Sequence, residues 1–230
     1  FNRLLLVAGA AILPLVLILL QPEVGMVVVL GIGLVAVLFV YGIKYRYMIA
    51  AMITLLVSAP LIWFFGLKDF QRTRFLVLFN KEHDLTSAGY QTDRARTAIG
   101  SGQWTGSGLY SGLHTQSAEG IPIKESDFIF SVIGEELGFI GSMAVILLIS
   151  GILIRCLYIA GTSKDLFGSY MVTGLTAMMA FHFIENVGMN IGLLPVTGIP
   201  LPFVSAGGSS MLTNFAAIGL IISVSMRRKT

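Results

Sequence analysis

What most constrains this chain is its division into long, nearly uncharged runs and one polar stretch of about sixty residues, Gly66–Ser126. Leu4–Leu20 and Val24–Ile43 are apolar runs joined by Gln21-Pro22-Glu23, and Tyr47–Leu67 follows with Pro60 inside it. Beyond the polar stretch come Phe128–Tyr158, Phe167–Leu194 and roughly Ser209–Met226. Each is long enough for a helix to cross a hydrocarbon layer about 30 Å thick, which takes roughly 17–25 residues. Backbone groups in lipid must be satisfied within the segment, so these runs should be helices. Alternation of period two, the mark of a membrane barrel, is absent. The expected fold is an all-α polytopic membrane protein with about six transmembrane helices, forming one membrane domain over residues 1–230.

Composition supports this class. The 230 residues are 55% hydrophobic and 12% charged, about half the charged share of an ordinary soluble domain, and the mean hydropathy is +0.85. A sequence pI near 9.1 is shared with nucleic-acid-binding proteins, but the basic residues form no long run and no nucleic-acid motif, so no such partner is expected. The single cysteine, Cys156, excludes an internal disulfide, and no Cys/His spacing fits zinc.

Fourteen of the 27 charged side chains lie between Gly66 and Asp127, seven of each sign. The other eight basic residues set the orientation. Arg3 precedes the first run, Lys44 and Arg46 separate the second and third, and Arg155 and Lys164 flank the turn between the fourth and fifth. Arg227-Arg228-Lys229 follow the last. Threading the runs through a bilayer puts all eight on one side, which the positive-inside rule makes cytoplasmic. The 66–126 loop is then extracytoplasmic, with the C-terminus inside. Phe1 is no natural start, and Leu4–Leu20 lacks a signal-peptide cleavage site. A piece of a longer polytopic protein is the expectation.

Several motifs carry a resemblance. They are Gln21-Pro22-Glu23-Val24-Gly25, Gly89-Tyr90-Gln91, Ala98-Ile99-Gly100-Ser101-Gly102 and Asp127-Phe128-Ile129-Phe130. With them stand Gly134-Glu135-Glu136-Leu137-Gly138, Asn186-Val187-Gly188-Met189, Pro195–Phe203 and Gly207-Gly208-Ser209-Ser210. In this order they resemble the SEDS family of bacterial shape, elongation, division and sporulation proteins (RodA, FtsW, SpoVE). The chain is similar to the last six of that family's ten spans. The resemblance implies a peptidoglycan glycosyltransferase in the bacterial cytoplasmic membrane, polymerising lipid II into undecaprenyl-linked glycan beside a class B penicillin-binding protein. It also implies that these 230 residues alone are nearly inactive. A divalent cation, Mg or Mn, is the implied cofactor, no organic one is expected, and no all-protein metal cage is visible.

The family's essential acid falls on Asp127. Attack of a sugar hydroxyl on an anomeric carbon needs a proton acceptor, and a carboxylate at the outer end of a span, beside Phe128 and Phe130, suits a general base. The alternative is a helix N-cap, by Asp127 or by Ser126. Glu119 matches an acidic position of some members and is a second catalytic candidate. Arg74, Arg96 and Lys124 are candidates to bind the pyrophosphate leaving group, or else are loop charges paired or solvated. Arg94, Ser107, Ile123, Glu125 and Ala206 depart from the family's usual pattern.

Gly100–Gly112 reads either as a close backbone approach to a sugar or phosphate, or as a flexible turn. His182, Glu185 and Asn186 lie within an apolar span, where a carboxylate costs about 2.5–3.5 kcal/mol on insertion scales. They read as an interhelical hydrogen-bonded cluster or as a proton relay. Three prolines make Pro195–Phe203 an extended loop, and Gly207, Gly208, Ser209 and Ser210 re-enter as the last span, forming with it one wall of a substrate site. A lipid II flippase and a non-catalytic scaffold for the penicillin-binding protein are the competing readings.

Overall fold

The structure, a computed structural model, describes residues 9, 13, 14, 16–18, 20, 24–79, 88–116 and 125–227. The expected first span, Leu4–Leu20, falls mainly outside the described residues. Those residues contain helices and no strand. In chain order the helices are α1 (Val24–Val40), α2 (Tyr45–Leu61), α3 (Asp69–Phe79), α4 (Ala88–Ser101), α5 (Leu113–Gln116), α6 (Ile129–Gly161), α7 (Leu166–Asn190) and α8 (Gly208–Arg227). A π-helical turn, Ile62–Gly66, extends α2 just after Pro60.

Four of these helices are long and apolar enough to cross a membrane: Tyr45–Gly66, Ile129–Gly161, Leu166–Asn190 and Gly208–Arg227. Gly25–Val40 is apolar but shorter. The chain is thus an all-α polytopic membrane protein with at least four such helices. Helix α2 buries none of its residues, and Leu55, Leu56 and Val57 are well exposed. A helix that is apolar all round and buried nowhere in its own chain needs hydrocarbon or another apolar partner around it.

The polar stretch differs from a plain loop, because it carries α3, α4 and α5. Helix α3 starts where the side chain of Gln71 turns back to accept the amide of Lys68 at 2.9 Å, half of a capping box. Its Asp69 stands in the first turn, where negative charge suits the helix dipole.

The described chain divides into two compact units. One comprises residues 1–37, 145–186 and 197–230. Its core gathers Cys156, Ile159 and Ala160 of α6, Val172 of α7 and Ile221 of α8. Glycines let α1 and α7 approach closely, since a Cβ on Gly33 would stand 2.8 Å from Met178 and one on Gly174 would stand 3.0 Å from Val37. Small residues at membrane helix contacts serve this purpose. The carboxylate of Asp165 accepts the amides of Phe167 and Gly168, each at 3.3 Å, and so caps α7.

The other unit comprises residues 38–144 and 187–196. Here α6 is broken at Gly138, whose φ of 67° and ψ of −164° are not helical. The Gly-rich turn after α4 docks into this break backbone to backbone. Ser107 and Gly108 donate to the carbonyls of Glu135 and Glu136 at 2.9 and 3.0 Å, and Phe139 and Ile140 donate to those of Gln103 and Trp104. A Cβ on Gly102 would fall on the carbonyl oxygen of Gly134, and one on Gly106 on that of Glu136. Gly102 and Gly106 are therefore neither a loose turn nor an open cradle. They are the price of a tight joint between two stretches of main chain.

Candidate active site and family

Asp127 lies in the turn Glu125–Phe128, two residues ahead of the first residue of α6, and is half-buried. Ser126 donates its hydroxyl to Asp127 Oδ1 at 2.8 Å. Phe128, which occupies the N-cap position of α6, turns inward and is 2% exposed, packed with Ala95, Ala98, Met189 and Val196. Phenylalanine has no capping oxygen. The amide of Ser131, which a capping side chain would accept, is bound by Asn190 Oδ1 at 3.1 Å. The same side chain donates through Nδ2 to the carbonyl of Asp127 at 3.1 Å. Asp127 thus stands one residue before the capping position.

The loop cations differ in their surroundings. Arg96 donates through Nε to the carbonyl of Ile191 at 3.0 Å and through Nη2 to that of Gly192. It therefore caps the C-terminal end of α7, where a cation is favoured by the helix dipole. Gly192 has φ +70°, and a Cβ there would overlap the Arg96 guanidinium, so the glycine is what admits this contact. Arg74 lies 5.8 Å from the ring centre of Phe70, and Arg94 lies 5.1 Å from that of Tyr90. Arg72 donates to the carbonyl of Phe64 at 2.8 Å and pairs with Asp69 at 3.5 Å. Glu119 and Lys124 lie outside the described residues.

Glu135, two turns along from Asp127, is 1% exposed. Its carboxylate accepts the amides of His114 and Thr115 at 2.7 and 2.8 Å, fastening α5 to α6 by two charge-assisted hydrogen bonds. Among the described residues no group of three or more His, Cys, Asp and Glu side chains is placed to hold a metal ion.

In the first unit, Glu185 and Asn186 hold the proline-rich loop. Thr197 donates to Glu185 at 2.9 Å, and Asn186 donates to the carbonyl of Ile199 at 2.8 Å. Residues 195–201 are non-helical, as Pro195 and Pro200 within them and Pro202 just after require. Leu201 N bonds Ser205 Oγ at 2.7 Å, and Phe203 takes φ +65° while its ring packs edge-on against Phe215. His182 stands apart from these contacts. Its Nε2 is buried with no hydrogen-bond partner among the described residues. Helix α8 begins at Gly208, with Gly208 and Ser209 exposed and Ser210 half-buried. A Cβ on Gly208 would meet nothing within 4 Å.

Asn190 and the amide-binding role of Glu135 were missed by sequence reasoning. The recurrence of Asn at 186 and 190, one helical turn apart in an apolar span, is a signal for the first. Nothing local marks the second, because the amides that Glu135 binds are about twenty residues away.

Residues 2–230 match the family model described as cell cycle protein, of FtsW, RodA and SpoVE. The chain belongs to this family. It is 36% identical over 217 residues to the peptidoglycan glycosyltransferase MrdB of Escherichia coli K12, covering 94% of the chain and 58% of that protein. To the peptidoglycan glycosyltransferase RodA of Treponema pallidum it is 37% identical over 190 residues, covering 81% of the chain and 44% of that protein. The chain thus spans 58% of the length of the first of these relatives and less of the second. Among solved structures, 96% of it aligns with 61% of a chain from work on how a peptidoglycan synthase complex coordinates polymerization and crosslinking, with a TM-score of 0.79 and 28% identity. The rod shape determining protein RodA of Thermus thermophilus aligns over 97% of the chain and 56% of that protein, with a TM-score of 0.62 and 27% identity.

Proposed function

We propose that this chain is the C-terminal part of a lipid II polymerase, an inverting peptidoglycan glycosyltransferase with Asp127 as general base. The observation that carries this is a half-buried carboxylate on a turn at the end of a membrane-crossing helix, in a chain of a family whose relatives are named peptidoglycan glycosyltransferases. The acceptor's sugar hydroxyl gives its proton to Asp127 as its oxygen attacks the anomeric carbon of the donor. The bond from that carbon to the undecaprenyl pyrophosphate breaks, and the pyrophosphate departs with the electron pair. Attack opposite the leaving group turns an α-linked donor into a β-linked product. One base and a site for departing negative charge are enough.

For the leaving group, Arg74, Lys124 and the segment that opens α8, Gly207, Gly208, Ser209 and Ser210, are proposed. Amides at a helix N-terminus favour anions. Arg96 is proposed in a supporting part, given its carbonyl partners. Glu119 is proposed as a second carboxylate. The full protein has about ten spans, of which this chain supplies the last six. The loop faces outside and the C-terminus the cytoplasm, and the protein works in the bacterial plasma membrane in cell-wall synthesis, cell shape and division. A class B penicillin-binding protein is the proposed partner, consistent with the synthase complex that the chain resembles.

The test is polymerisation of lipid II by full-length protein carrying Asp127→Asn, which keeps the shape but removes the proton acceptor. A loss of about 10²–10⁴-fold is expected, with folding and partner association retained, while Glu125→Gln stays near the wild-type rate. Normal polymerisation by Asp127→Asn with failed lipid translocation would replace the enzyme with a flippase.

A further inference from the structure

Asn190 is the last residue of α7 and is fully shielded from solvent. Both ends of its side-chain amide are used on a single turn of the chain. Oδ1 accepts the Ser131 amide and Nδ2 donates to the Asp127 carbonyl, each at 3.1 Å. A main-chain N–H can only donate and a carbonyl can only accept, so the orientation of the amide group is determined by its partners. The side chain therefore clasps residues 127 to 131 from both sides of Phe128, whose ring is buried with Ala95, Ala98, Met189 and Val196.

Asn190 is itself anchored. The next two carbonyls, of Ile191 and Gly192, are held by Arg96. The amides of Leu193 and Leu194 return to the carbonyl of Gly188 at 2.8 and 3.2 Å. The end of α7 is thus tied to α4 on one side and to the Asp127 turn on the other.

We propose that Asn190 is the positioning residue of this active site, fixing the main chain from which the Asp127 carboxylate projects. This rests on the reading of Asp127 as the base. A general base must come within about 2.6–3.2 Å of the proton that it takes. A misplacement of about 1 Å can cost about 10²-fold in rate. The serine hydroxyl on Asp127 Oδ1 orients the carboxylate about its own bonds, while Asn190 sets where those bonds begin. Through these two hydrogen bonds Asn190 acts on the peptide groups of residues 127 and 131, so its effect falls on the rate of the bound complex and not on affinity for lipid II.

The experiment uses full-length protein with lipid II and measures kcat and KM across pH for Asn190→Leu, Asn190→Asp and Asp127→Asn. Asn190→Leu keeps the approximate volume and removes both hydrogen bonds. Its kcat should fall about 10- to 100-fold at every pH, with KM within about threefold of wild type. Asn190→Asp keeps a donor only while its carboxyl is protonated. Its kcat relative to wild type should therefore decline as pH rises while its melting temperature still shows a folded protein at each pH, whereas a packing role would lower kcat only as the ionised buried carboxylate unfolds the protein. Should the leucine variant fail to accumulate, the aspartate variant decides by that trend alone. Wild-type kcat in Asn190→Leu, or an Asn190→Asp ratio that is low and flat with pH, overturns the proposal while an inactive Asp127→Asn leaves the base reading intact. An active Asp127→Asn overturns both.

Discussion

Thr197 and Asn190 show how single polar groups serve a membrane protein whose spans are otherwise apolar. In each case a side chain from the end of α7 or a hydroxyl beside it satisfies main chain or carboxylate that has left regular structure. The Thr197 hydroxyl donates to a Glu185 carboxyl that is 3% exposed. Thr197→Val keeps the shape and removes that donor. It should destabilise the protein by about 1 kcal/mol, since hydrogen bonds within membrane proteins measure modestly. A lower melting temperature in nanodiscs is the readout, and a melting curve that overlays wild type would show the contact to be idle.

At the scale of elements, the joint between the Gly-rich turn and the broken helix α6 dominates the second unit. Gly102 and Gly108 lie six residues apart but face different surroundings. A Cβ on Gly102 would fall on the Gly134 carbonyl, whereas one on Gly108 would meet only Ser111 side-chain atoms at 3.7 Å or beyond. Gly102→Ala must push two backbones apart and should cost about 3 kcal/mol or more. Gly108→Ala meets only the conformational strain of φ +98° and should cost about 1–2 kcal/mol. Thermal denaturation of both variants checks the order, and equal losses would mean that the joint yields. The extended reach of Glu135 to the amides of α5 belongs to this same joint.

For the whole molecule, orientation in the membrane is the property on which the proposed chemistry depends. The eight basic residues outside the 66–126 stretch fall on one side when about six spans are threaded. A reporter inserted in the loop should therefore be accessible from outside and one after Lys229 from the cytoplasm. A loop reporter accessible only from the cytoplasm would put Asp127 on the wrong face for outer-surface glycan synthesis.

The apolar runs alone dictate membrane helices, because lipid offers the backbone no other hydrogen-bond partner. The boundaries of α2, α6, α7 and α8 follow those runs closely, and the prolines from 195 to 202 exclude a helix there. The carboxylate abutting an apolar run at Asp127 reads locally as a base or as a helix N-cap, and the resemblance to the family is what marks it as the candidate base. Helices α3, α4 and α5 were not legible in the polar stretch, where no strong apolar stripe announces a buried face. Nor were the partners of Arg96, Glu135 and Asn190. Each binds main-chain groups twenty to nearly a hundred residues away, and a main-chain amide or carbonyl is the same in every residue. Composition and pattern therefore determine which segments enter the membrane, while tertiary packing alone decides which buried side chain holds which stretch of backbone.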